Sequence, residues 1–118
     1  MIVMPRRVAS AFAAVLATAL LLGAGSARAQ EAVSLAISIK NHRFEPAELR
    51  APANKPITLR IRNLDSTPAE FESVRLRVEK VIAANGEGVV NLRALAPGRY
   101  DFFDDFHKDT TRGALIVQ

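Results

Sequence analysis

Glu70-Phe71-Glu72 and Asp104-Asp105-Phe106-His107 are the two stretches of this chain whose residue types could do chemistry. Carboxylates two apart on a strand point to the same side. An imidazole beside carboxylates is a ligand set for a hard or borderline cation such as copper, iron, manganese or zinc. A buried carboxylate without a partner is costly. The candidate ligands are therefore Glu70, Glu72, Asp104, Asp105 and His107, with Glu79 joining if the chain turns or bulges near Val78. His42, alone in a loop, reads first as a surface residue. Clustered acids repel one another and hold their protons more tightly when empty. A cation reverses that, so its affinity should fall as pH drops.

Other chemistries are poorly served. The chain has 118 residues, two histidines and no cysteine, which excludes thiolate catalysis, iron–sulfur clusters and the usual His/Cys blue copper site. No nucleophile elbow, H-E-x-x-H helix or phosphate-binding glycine loop is present. Residues 1–29 read as a signal peptide, with Arg6-Arg7, an apolar run to Gly23 and an Ala27-Arg28-Ala29 cleavage site. This implies a periplasmic protein with one domain, residues 30–118. Three of the 16 basic residues lie in that leader and none of the 12 acidic ones does, so the remainder is near neutral. Interspersed signs argue against a nucleic-acid partner.

The elements that must position these groups read as strands. Val33, Leu35, Ile37 and Ile39 alternate with small or polar residues, as do Ile57, Leu59 and Ile61 with Thr58, Arg60 and Arg62. Asn41–Glu48 reads as a loop and Leu49–Ala51 as a short strand. Glu70–Val78 reads as one strand with Val74, Leu76 and Val78 inward. On that parity Glu70 and Glu72 point inward too. Val89–Leu95, Arg99–Phe106 and Ala114–Val117 complete the set. Asp104 and Asp105 fall on opposite faces, so bringing both to His107 requires a bend after Phe103. About seven strands predict an all-β Greek-key sandwich. Leu95-x-Pro97-Gly98-x-Tyr100 is a tyrosine-corner signal within it.

Phe44-Glu45-Pro46, Asn63 through Pro68 to Glu70-Phe71-Glu72, Leu95-x-Pro97-Gly98-x-Tyr100-x-Phe102, and Gly113-x-Leu115-Ile116-Val117 together resemble the cupredoxins. The pattern is most similar to the cupredoxin-like domains of bacterial periplasmic iron-uptake systems, the EfeO/FtrB type. Against plastocyanin-like members, Asp104 stands at the cysteine position, His107 keeps a histidine position, Ala69 replaces the first histidine and Arg112-Gly113 stands near the methionine. The resemblance implies a copper or iron ion as cofactor. It also implies an accessory role in iron uptake, with an iron permease or periplasmic iron-binding protein as partner. A ferrous-iron oxidase subunit and a metal-free interaction module are the alternatives, and no residue is assigned as catalytic.

Overall fold

Ile57, Leu59, Ile61 and Asn63 are buried while Arg60 and Arg62 face solvent, and the same two-residue alternation recurs along the chain. The computed structural model describes residues 2–4 and 31–118. The expected leader lies largely outside these residues. The strands are β1 (Val33–Lys40), β2 (Arg43–Glu45), β3 (Glu48–Ala51), β4 (Ile57–Asn63), β5 (Ala69–Ser73), β6 (Val78–Ile82), β7 (Glu87–Leu92), β8 (Gly98–Asp104) and β9 (Arg112–Val117). A 3-10 turn, Asp105–His107, opens the connection from β8 to β9.

They form two sheets, ordered β2-β1-β4-β7 and β3-β9-β8-β5-β6. β1 runs parallel to β4, and β3 parallel to β9; the other pairs are antiparallel. The class is the expected β-sandwich, with nine strands instead of about seven. The two additions have physical causes. Arg43–Glu45 is a strand too short to show alternation. The expected strand Glu70–Val78 stops at Ser73, the chain turns at Val74–Arg77, and a further strand, β6, begins at Val78 and runs to Ile82.

That turn reverses the expected parity. Ala69, Phe71 and Ser73 are buried, whereas Glu70 and Glu72 are half-buried on the outer face. Ser73 Oγ donates to the Asp101 carbonyl at 2.7 Å and accepts the Leu76 amide at 3.3 Å, which ends the strand. Val74 is left 78% exposed, while Leu76 folds back into the core.

Phe44, Phe71 and Phe102 pack edge-on or tilted at centroid distances of 4.9–6.1 Å. Each fully buried phenylalanine contributes roughly 2–3 kcal/mol by leaving water. The three rings join the two sheets. Tyr100 Oη donates to the Ala96 carbonyl at 2.8 Å, forming the tyrosine corner that the sequence signals.

Candidate metal centre

Two groups of ligand-type side chains emerge. The first lies on the outer face of the second sheet. Glu70 and Glu72 share a face of β5, and Glu72 pairs directly with Glu79 on β6. One carboxylate oxygen from each of the three lies within 4.8 Å of the others. Among the described residues this is the one such grouping of three or more. Like charges directly opposite across strands are unfavourable. Glu72 registers this: partial burial, then repulsion from Asp105, Glu79 and Glu70, pushes its carboxyl above the usual range. Asp105 is partly neutralised by Lys108 Nζ at 3.1 Å. The hydrogen bond and charge of Asp105, with Glu72 beyond, hold the Lys108 ammonium above its ordinary value.

The second group lies at the end of the sandwich where the β1–β2, β4–β5 and β8–β9 connections meet. The bend required after Phe103 is the 3-10 turn. Asp104 caps it and is 1% exposed. Its Oδ1 accepts the amides of Glu70 and Phe106, at 2.9 and 3.0 Å. Its Oδ2 lies 2.9 Å from His107 Nδ1. Asp104 therefore turns into the protein, away from the three glutamates, with both oxygens hydrogen-bonded. The expectation that Glu70, Glu72, Asp104, Asp105 and His107 meet at one point gives way to two adjoining groups, bridged by the Glu70 amide. A strand that buries Phe71 must turn Glu70 and Glu72 outward, while the bend after Asp104 carries His107 to the rim.

His107 does not stand alone there. Its ring centroid is 4.0 Å from that of His42, with the planes 31° apart. Asn41 and His42 both have positive φ, 52° and 56°. Asp65 supports them, accepting their amides at 2.7 and 2.9 Å. Asn63, fully buried, holds the Asp65 loop through Oδ1, which accepts the Asp65 amide at 3.0 Å. Burial alone raises the Asp65 carboxyl. The His42 and Asn41 amides and the two nearby imidazoles outweigh it and leave the group lowered. Asp65 and Lys108 were not singled out from the sequence, and no spacing rule ties residue 42 to residue 107.

Comparison with known proteins decides the family. Over residues 11–117 the sequence matches the cupredoxin-like domain family. The chain belongs to that family. This cupredoxin-like chain is 42% identical, over 81 residues and 69% of its length, to an uncharacterised protein of Rickettsia prowazekii (strain Madrid E). It spans 65% of that relative. Its fold is similar to the metal-binding domain of the Cu(I)-exporting P-type ATPase CopA of Streptococcus pneumoniae D39, solved with Cu(I). The TM-score is 0.64 at 15% identity, covering 72% of this chain and 84% of that one. It is equally similar to auracyanin A, a "blue" copper protein of Chloroflexus aurantiacus: TM-score 0.64, 15% identity, covering 75% of this chain and 100% of that one. The residues of this cupredoxin-like chain do not fit a thiolate copper centre. Cysteine is absent, and Asp104, which the sequence resemblance sets at the cysteine position, is buried and hydrogen-bonded to two amides and an imidazole. The donor set it does present, three carboxylates on one face, fits a hard or borderline cation.

Proposed function

We propose that this protein binds a copper or iron cation in the periplasm and serves a bacterial iron-uptake system. The observation that carries the reading is the convergence of half-buried Glu70 and Glu72 with exposed Glu79 on one patch. Three mutually repelling acids without a cation of their own in the group are relieved by one bound from solution. Oxygen donors suit iron or Cu(II) better than Cu(I). Two structural neighbours bear names that say they bind copper. The iron side rests on the resemblance of Glu70-Phe71-Glu72 and its surroundings to the EfeO/FtrB-type domains. In this reading the ion is cargo passed to a permease or to another iron-binding protein, and the chain itself performs no catalysis.

The test is calorimetric titration of the purified chain with Cu(II) and, anaerobically, with Fe(II). One equivalent of binding is expected to disappear in a Glu70→Gln/Glu72→Gln variant whose circular dichroism is unchanged. Identical binding in the variant overturns the reading. A second prediction of the same site is weaker binding as pH falls toward the carboxylate range, because protons and cation compete for the same oxygens.

A further inference from the structure

Among the described residues the two histidines are the only nitrogen ligands of their kind, and the fold puts them together although 64 residues separate them in sequence. The arrangement is built from both sides. His107 Nδ1 faces the buried acceptor Asp104 Oδ2, so Nδ1 carries the proton and Nε2 keeps its lone pair. His42 Nδ1 faces Asp65 Oδ2 at 3.6 Å. A carboxylate hydrogen-bonded to one ring nitrogen fixes the tautomer and orients the ring; Asp104 does this for His107, while Asp65 lies behind His42 without a hydrogen bond to its ring. Neither Nε2 has a hydrogen-bond partner among the described residues, and both rings reach solvent, with side chains 28% and 44% exposed.

The backbone at His42 argues in the same direction. A left-handed conformation is uncommon for a residue with a side chain, and persists where the surroundings enforce it. Here the enforcement is threefold: Asp65 holds the Asn41 and His42 amides, and the buried Thr111 hydroxyl donates to the His42 carbonyl. Asn63 in turn holds Asp65. The result is to keep the His42 ring against His107.

We propose that His42 and His107 are the two nitrogen ligands of a second metal site, for a borderline divalent cation such as Cu(II) or Zn(II), separate from the acidic patch. Asp104 and Asp65 are its positioning residues. The rings are stacked, so one ion can take both lone pairs only if they open from the stack. This site stands on different residues from the glutamate patch, and either can fail without the other.

The test uses the purified chain and Cu(II), read by electron paramagnetic resonance. Nitrogen couplings from two imidazoles are expected in the wild type and from one in His42→Asn. Asparagine is chosen because it tolerates the left-handed backbone. Copper affinity at this site should fall about tenfold or more in that variant. Glu70→Gln/Glu72→Gln should keep the two-nitrogen signal while losing its carboxylate-bound equivalent. Unchanged couplings and affinity in His42→Asn, or oxygen ligation alone in the wild type, would show the rings to be a stack only. The latter result leaves the glutamate reading intact. A readout that needs no variant is the nitrogen chemical shift of each ring on adding Zn(II). Both Nε2 atoms should shift, and movement of His107 alone overturns the proposal.

Discussion

His107 Nδ1 lies 2.9 Å from Asp104 Oδ2, and the other oxygen of that carboxylate accepts the amides of Glu70 and Phe106. A single buried side chain thus fixes the end of β8, the start of β5 and the orientation of one imidazole. Removing it strands two amides and a ring nitrogen. Asp104→Ala should destabilise the fold by roughly 3 kcal/mol in chemical denaturation. Asp104→Asn tests orientation more finely. Its oxygen still accepts the amides, but its NH2 now donates to Nδ1 and moves the ring proton to Nε2. The fold should survive with a smaller loss, and nitrogen NMR should report the other tautomer of His107. An unchanged tautomer would show that Asp104 does not set it.

Glu72 gives a pH prediction whose sign follows from its surroundings. Its carboxyl is raised by burial and by Asp105, Glu79 and Glu70, so the folded protein holds that proton more tightly than the unfolded chain does. The associated stability is present at low pH, where both states are protonated, and is lost as pH rises through the raised value. Glu72→Gln should therefore make the metal-free protein more stable than wild type at neutral pH. The gap should close below the ordinary glutamate value. Thermal melts across pH check this, and a variant less stable at neutral pH contradicts the electrostatic account.

Lys108 brings a positive charge within electrostatic reach of Glu72, paired with Asp105 at 3.1 Å. Both side chains are substantially exposed and an exposed ion pair is weak, so the effect of removing the ammonium is modest but signed. Lys108→Gln should tighten cation binding at the glutamates roughly two- to fivefold at low ionic strength. The difference should shrink in added salt, since exposed charges are screened. Titrations at two salt concentrations decide it. Weaker binding in the variant would mean that Lys108 supports the site instead of competing with the ion.

The strands with strong alternation, β1 and β4, were legible from sequence because half-buried strands leave a period of two. The tyrosine corner was legible for a similar reason: Pro97, Gly98 and Tyr100 specify one local geometry. The turn at Val74–Arg77 was not. It contains neither glycine nor proline, and Arg77 takes the left-handed conformation (φ 55°) that marks such a reversal. Val74, Leu76 and Val78 extend the parity of Glu70 and Glu72, so the stretch imitates a single strand. The buried residue that breaks the pattern, Ser73, is polar, and its burial is made tolerable by partners on β8 and in the turn. The residue types of the site were readable, but their facing was not. The contact of His42 with His107 depends on where three loops end, which no local pattern encodes.

The pairing of Glu72 with Glu79 has a mechanical side. Glu79 belongs to β6, the outermost strand of its sheet, held laterally by β5 alone. Any ion gripping the three oxygens is also a rivet through that margin. Occupancy and fraying of the border strand would then become one variable, so amide exchange along β6 is expected to report whether an ion sits on the three carboxylates, without a spectroscopic metal.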